Sequence, residues 1–342
     1  MEKKGKRSPL STVSFSFDPI APLLASENAA IVYFTNRDLL GRKVGPIETV
    51  WDLPEVRKIL RKQRPDGSWK PAKTKSAAGW KYELTETWRH LRYLIDQYEM
   101  NSANPAVKNA CEFVFNCQSE EGDFRGILAN QYAPYYTGAL LSLLIKAGYA
   151  NDPRVEKGMR WLLSMRQDDG GWVIGSPGMI GYPWKKVCAL TSRWSAGPEK
   201  SFDRAKPYSA AGTGMAIRSF AVHPVYRHTE AAVKAAKLLK SKFLRQDNWS
   251  WYKHPDNWVR FQFPYWWNHL LSALDACSLI GLPRGDPDIA RALQWFIDHQ
   301  QGDGLWNVSY SKNHRCNSGE KVRETRLWIT LSVCRVLRRY FG

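Results

Sequence analysis

Apolar residues recur along most of the chain at the three-and-four spacing of a helix face, and two kinds of stretch alternate. In the first kind, Asp152-Pro153-Arg154-Val155-Glu156-Lys157-Gly158-Met159-Arg160-Trp161-Leu162-Leu163, Val155, Met159 and Leu162 share one face. Asp152 is placed as an N-cap and Pro153 at the first helical position. Asn104-Pro105-Ala106-Val107 and Asp286-Pro287-Asp288-Ile289 open in the same way. The second kind is more apolar and predicts helices over roughly 82–99, 134–148, 207–222, 264–281 and 324–341. Residues 27–41 and 52–63 read as one further pair.

Five short segments punctuate these helices. They are Gln63-Arg-Pro-Asp-Gly67-Ser-Trp69, Gln118-Ser-Glu-Glu-Gly122-Asp-Phe124, Arg166-Gln-Asp-Asp-Gly170-Gly-Trp172, Arg245-Gln-Asp-Asn-Trp249-Ser-Trp251 and Gln300-Gln-Gly-Asp-Gly304-Leu-Trp306. Their anchors are 55, 48, 79 and 55 residues apart, the signature of a repeat architecture. Glycine lets the chain turn out of the outer helix, and the aromatic six residues after the anchor is expected to pack between neighbouring hairpins. The motifs themselves are assigned no catalytic part.

This pattern resembles the Gln-Trp motif of the prenyltransferase and squalene-oxidase repeat, found in triterpene cyclases and protein prenyltransferase β subunits. The resemblance covers most of residues 50–342 and implies an all-α fold: a single α/α toroid of five to six hairpins with a cavity on its axis. Trp249 in place of Gly and Phe124 in place of Trp depart from the pattern. The chain is also similar to short bacterial and archaeal members of the group. The segments that carry this likeness are Asn36-Arg37-Asp38-Leu39-Leu40-Gly41, Val259-Arg260-Phe261-Gln262-Phe263-Pro264, Leu270-Leu271-Ser272-Ala273-Leu274-Asp275, and Trp328-Ile329-Thr330-Leu331 with Arg335-Val336-Leu337. Residues 1–26 are set apart as a basic N-terminal segment and 27–342 as the toroid domain.

Composition bounds the rest. The chain has 342 residues, 44% hydrophobic and 24% charged, which excludes wholesale disorder. Six cysteines with no Cys-x-x-Cys pair read as reduced thiols of a cytoplasmic protein. The strongest apolar run, Ala139 to Ile145, ends at Lys146, far short of the ~20 residues a membrane span needs. Peripheral membrane contact stays open.

The family chemistries are then tested one by one. The Asp-x-Asp-Asp tetrad of class II cyclases is absent, and Asp286-Pro287-Asp288 reads as a helix cap. Asp168-Asp169 is followed by Gly-Gly-Trp, which is no Asp-Asp-x-x-Asp magnesium motif. Asp275-x-Cys277, with His314 further on, offers the donor types of a prenyltransferase zinc site, but in the wrong part of its helix, so no metal or cofactor is expected. Asp275 itself lies in an apolar helix, where a carboxylate must be paired, hydrogen-bonded or protonated. It is the first candidate acid, with Glu83 and Glu86 as an alternative acid/base pair. Arg89 and Arg92 one turn on are expected to draw those two glutamates into ion pairs. The starts of the inner helices place Tyr82, Tyr135, Tyr136, Tyr208, Tyr265, Trp266, Trp267 and Arg326 at the cavity mouth, with Arg218 and His269 deeper and Arg260 nearby as substrate-binding candidates. Aromatic faces stabilise cations but also line any apolar pocket.

Charge is unevenly spread within a net +18. Residues 53–81 carry nine bases against two acids, and 312–339 carry eight against two. The long loop 173–206, with Lys185, Lys186, Arg193, Lys200, Arg204 and Lys206, reads as a lid. Such a surface can hold an anionic head group or meet anionic lipid, and no nucleic-acid motif accompanies it. The leading expectation is an enzyme acting on an isoprenoid or other hydrophobic substrate with an anionic head group. The alternative is a non-catalytic toroid that binds a lipid or other ligand, and a carbohydrate-active toroid enzyme ranks third because the Gln-Trp repeats argue against it. A lumen filled by side chains would favour the binding protein.

Overall fold

The computed structural model describes residues 13, 15–71, 79–174, 197–198, 202–247, 255–311 and 319–342. Within them lie thirteen α-helices. They are α1 (Ile20–Leu24), α2 (Ala29–Phe34), α3 (Glu48–Trp51), α4 (Pro54–Leu60), α5 (Tyr82–Leu91), α6 (Pro105–Phe115) and α7 (Pro134–Leu144). Then follow α8 (Pro153–Ser164), α9 (Ala210–Val222), α10 (Glu230–Ser241), α11 (Leu270–Ile280), α12 (Pro287–Asp298) and α13 (Glu320–Phe341). Ile127–Asn130 is a four-residue extended segment. None of the described helices is long and apolar enough to cross a membrane.

The chain forms an α/α toroid. Helices α7, α9, α11, α13 and α2 follow one another around an inner ring, each against the next, and α5 joins α7 through its continuation Arg92–Gln97. The ring closes where Arg37, just beyond α2, pairs with Glu99 beyond α5 at 2.7 Å and Trp51 Nε1 donates to the Tyr98 carbonyl. Helices α4, α6, α8, α10, α12 and α1 stand outside. The expected caps form: the side chains of Asn104, Asp152 and Asp286 accept backbone N–H groups at the starts of α6, α8 and α12. The inner helices are apolar nearly all round because they are buried on nearly every side.

The repeat motif has a repeated bonding scheme. Gln63, Gln118 and Gln300 donate Nε2 to the carbonyl four residues on, at 2.9–3.0 Å. Each donates again to the next outer segment, at Ala106, Arg154 and Phe17. Arg166 makes the first of these bonds, to Gly170. Trp69, Trp172 and Trp306 donate their indole N–H to the carbonyl ten residues earlier, at Ile59, Leu162 and Phe296. Their backbone N–H groups, and that of Phe124, donate to Thr87, Thr213, Thr330 and Thr137 on the following inner helix. Both N–H groups of each of these tryptophans are therefore satisfied while the rings are fully buried. Glycine is needed here for approach as well as for turning. A Cβ on Gly67 would meet the Asn109 carbonyl oxygen at 2.3 Å, and one on Gly304 the Asp18 carbonyl oxygen at 2.5 Å. That second contact draws residues 17–24, which the sequence reading set apart with the N-terminal segment, into the ring as its sixth outer element.

Two helical details depart from the expectation and matter for the site. The helix predicted over 264–281 begins only at Leu270, with His269 and Ser272 forming a reciprocal cap. And α2, α5 and α7 each run on into a π-helical stretch, Thr35–Leu39, Arg92–Gln97 and Ile145–Tyr149. These widen the inner helices at the end of the ring where they terminate. We call this end the return face, and the end carrying the motifs the motif face.

Removing a buried wedge leaves a void that the ring cannot collapse into. Trp172→Ala is expected to cost about 3–5 kcal/mol of unfolding free energy, read by urea denaturation. Val225→Ala, at a side chain 66% exposed on the surface, should stay within about 0.5 kcal/mol.

Candidate functional site

The bore of the toroid is closed by its own chain. Residues 263–267, of which 264–267 were expected in helix, are non-helical and lie across the axis. Four of their carbonyl groups are taken by two arginines. Arg92 Nη1 donates to Pro264 at 3.0 Å, and Arg218 donates to Tyr265, Trp266 and Trp267 at 3.3, 3.2 and 2.7 Å. Those carbonyls are consequently not offered to a first helical turn, which is why α11 starts late. Around this plug the rings pack on one another: Trp266 on Trp88 at 4.2 Å, Tyr136 on Trp88 at 5.3 Å and Tyr136 on Trp267 at 6.1 Å. The Arg92 guanidinium sits 4.3 Å from the centre of the Trp266 ring. Burial pushes Arg92 down to about 10, so it stays a cation at neutral pH.

Beneath the plug, on the return face, two spaces open in succession. The inner chamber has a volume of about 20 Å³ and the outer pocket about 180 Å³. Asp96, Lys146, Tyr265, Asp275 and Leu279 line both, so the two are consecutive along the axis. Lys146 pairs with Asp96 at 2.7 Å, and Arg339 bridges Asp275 and the Ser278 hydroxyl. Arg335 reaches in from α13 and is held from behind by Asp38 and Glu99. Burial alone would raise the Asp38 carboxyl, but Arg335 and Arg37 outweigh it and hold it below the ordinary range.

The four segments that the sequence singled out meet at this end. Asp38 binds Arg335. Phe263 stacks on Trp328 with centroids 5.7 Å apart. Asp275 faces the same pocket as Phe263 and Arg335. The surroundings of Asp275 are thus a polar rim and not the greasy interior expected: its side chain is 23% exposed and paired with Arg339.

The other sequence candidates disperse. Glu86 pairs with Arg89 at 2.8 Å and approaches His90 at 3.4 Å, whereas Arg92 turns to the plug. Glu83 lies close enough to Cys117, beyond the end of α6, to act on its thiol electrostatically. Tyr82 stacks on Trp80 and Tyr135 packs against Tyr136. Tyr208, Arg326, Arg260 and His269, expected at or below the mouth, turn elsewhere. Tyr208 donates to the Leu238 carbonyl of outer helix α10 at 2.6 Å, and Arg326 pairs with Asp303 of the fifth motif at 2.8 Å. Arg260 donates to Ser311. His269 caps α11, accepting from Ser272, and its other ring nitrogen meets Gln262. Cys277 is wholly buried against the Ala236 carbonyl. Two residues apart on a helix, Asp275 and Cys277 point roughly 200° apart and do not converge on one metal. His314 and the greater part of the 173–206 loop lie outside the described residues. Among the described residues no cluster of three His, Cys, Asp or Glu side chains could hold a metal ion.

Residues that the sequence reading did not assign to a site are Trp88, Arg92, Asp96, Lys146, Arg335 and Arg339. Their available signal was a cation or carboxylate inside an otherwise apolar helix, as with Arg92 between Leu91 and Leu94 and Arg335 between Cys334 and Val336.

No family model and no curated protein matches the chain. Among solved structures, a glycosyl hydrolase family 88 protein from Bacteroides vulgatus is similar with a TM-score of 0.48 and 13% identity, over 97% of this chain and 93% of that one. A variant of the type II terpene cyclase MstE from Scytonema, in complex with merosterolic acid A, is similar with a TM-score of 0.35 and 13% identity, over 94% and 97%. A protein from Actinoplanes has a TM-score of 0.33 and 16% identity, over 86% and 99%. Likenesses at this level carry no activity over to this chain.

Two consequences are measurable. Arg218→Met leaves three plug carbonyls without this donor, and a loss of about 1–3 kcal/mol for each carbonyl left unsatisfied is expected in urea denaturation. Burial, reinforced by Arg218, pushes His269 down to about 3, below its unfolded value near 6.5. The unfolded chain therefore takes up a proton that the folded chain refuses. Stability is full above pH 6.5 and falls as pH drops towards 3, by up to about 1.4 kcal/mol per pH unit from this group. His269→Asn keeps a capping acceptor and should flatten that part of the profile between pH 6 and 4.5.

Proposed function

We propose that the protein is a small-molecule-binding toroid that takes its ligand in the axial pocket of the return face. The observation that carries this reading is the plug. With residues 263–267 held across the bore, the axial space around Arg92 and Arg218 is about 20 Å³, room for a water or two. Adding the outer pocket of about 180 Å³ still falls short of the ~300–1,000 Å³ of pockets that enclose drug-sized ligands. An isoprenoid chain has no described bore to fold in. The carboxylates that cation chemistry would call on support the same reading, since Asp275 and Glu86 are each engaged by an arginine. The pocket wall offers Phe263, Tyr265 and Leu279 as apolar surface and a charged rim outside them, which suits a compact ligand with one apolar part.

A second reading, an enzyme that works on a hydrophobic substrate at the motif face, draws support from the cluster of aromatic rings of Tyr136, Trp266 and Trp267 packed at the plug.

Native mass spectrometry of the purified full chain, followed by solvent extraction, separates the two. The expected bound species is smaller than a sesquiterpenoid, and Leu279→Trp, which fills the outer pocket, should abolish it while melting like the parent. Extraction of a prenyl compound of sesquiterpenoid size or larger, retained by Leu279→Trp, would overturn the binding reading in favour of the second.

A further inference from the structure

We propose that the outer end of the axial pocket is a phosphate-binding subsite built around Arg338, so that the ligand of the return face is a small phosphate monoester with a compact apolar group. The proposal rests on the binding reading above and adds the chemistry of the ligand's head. An open depression of about 490 Å³ adjoins the outer pocket and shares Arg335 and Arg339 with it. Its remaining lining is Arg37, Asp38, Glu99 and Arg338, so every side chain that bounds it is charged. Arg335, Arg338 and Arg339 stand at positions i, i+3 and i+4 of α13, a spacing that puts them on one face. Arg37 and Arg335 both rest on the ring of Phe34, with guanidinium carbons 4.9 and 4.8 Å from its centre, which orients both forks before a ligand arrives.

Matching the charges around the two spaces leaves one cation over. Arg37 and Arg335 share Asp38 and Glu99, Lys146 takes Asp96, and Arg339 takes Asp275. Arg338 makes no ion pair and no side-chain hydrogen bond among the described residues. Its guanidinium is always charged and carries five N–H donors. The paired arginines keep donors as well. Arg37 and Arg335 spend Nε and Nη2 on the two carboxylates, and among the described residues their Nη1 groups stay free and open to solvent. The depression therefore offers one uncompensated positive charge and accessible N–H groups from three guanidinium forks. A carboxylate has two oxygens to meet them, whereas a phosphate monoester brings three and a charge of about −1.5 to −2. The outer pocket of about 180 Å³, with Phe263 and Leu279 on its wall, then takes the ester's apolar group. A dry cavity of roughly 150 Å³ holds a benzene ring, so a single ring is the size that fits.

The test titrates phenyl phosphate, inorganic phosphate and phenol into the full-length protein by calorimetry, in low-salt, phosphate-free buffer at neutral pH. Phenyl phosphate is expected to saturate a single site, about tenfold or more tighter than either fragment. Arg338→Gln should weaken it about tenfold or more while melting like the parent, because no side-chain bond of the described fold is lost. Leu279→Trp should weaken phenyl phosphate to the level of inorganic phosphate. Lys237→Gln, which removes an exposed cation from outer helix α10, should leave the affinity unchanged. Equal losses in Lys237→Gln and Arg338→Gln would reduce the binding to diffuse charge and overturn the proposal. Phenol bound as tightly as phenyl phosphate would overturn the phosphate assignment and leave the pocket reading standing. An unaltered affinity in Arg338→Gln, or no binding of phenyl phosphate at all, would likewise overturn it. Failure of the pocket reading itself shows separately, as the retained prenyl compound in the extraction experiment.

Discussion

Two guanidinium groups in the centre of the ring bind four peptide carbonyls of one non-helical segment, and most of what distinguishes this toroid follows from those bonds. Arg92 and Arg218 are buried cations that donate to main-chain oxygens of the plug, and Arg218 also to the Ser272 hydroxyl. A buried guanidinium is stable only when its donors are used, and carbonyls freed from helix formation supply acceptors at fixed positions. In return, the segment loses the carbonyls that would have started a helix. The plug thus divides the axis into an aromatic side and a charged side, and sets the depth of the pocket on the latter.

The charged side is also built by irregular helix ends. Arg92, Asp96, Lys146 and Asp38 all lie in the π-helical stretches that end α5, α7 and α2. Such stretches are intrinsically unfavourable and recur where side chains must be re-aimed at a functional site. Here they bring charges from three inner helices to meet Arg335 and Arg339 of α13. Part of the basic surplus that looked like a diffuse surface property therefore converges on the mouth of one axial pocket.

The wedge motifs are a different layer of organisation. In the described motifs the glutamine or arginine anchor, the glycine, the aromatic ring and the following threonine bond one hairpin to the next, and the fifth motif reaches residues 17 and 18 to close the circle. This hardware maintains a ring whatever the bore contains. That separation explains why repeat motifs can be intact in a chain whose axis is obstructed, and why fold and activity must be argued from different residues.

The sequence by itself determined the all-α toroid, its hairpin order, the capped outer helices and the wedge positions at Trp69, Phe124, Trp172 and Trp306, with Trp249 and Trp251 of the fourth motif lying outside the described residues. Each of these depends on local spacing: apolar residues three and four apart, Asx-Pro at a helix start, glycine and an aromatic at constant offset. It also pointed to four segments, which the fold brings to the return face through Asp38, Phe263, Asp275 and Arg335. What only the tertiary structure decided is which way those residues face. The residues at 264–267 satisfy helical patterning, but their carbonyls are claimed by arginines 172 and about 50 residues away in sequence. Asp275 read as a buried acid because its own helix is apolar, whereas its partner Arg339 comes from another helix 64 residues on. Glu83 and Glu86 read as a pair at a mouth, yet the turn of α5 carries them away from the axis that Trp88 and Arg92 occupy. Long-range electrostatic partnership leaves no local periodicity, so burial and charge could be counted along the chain but not paired until the ring had closed.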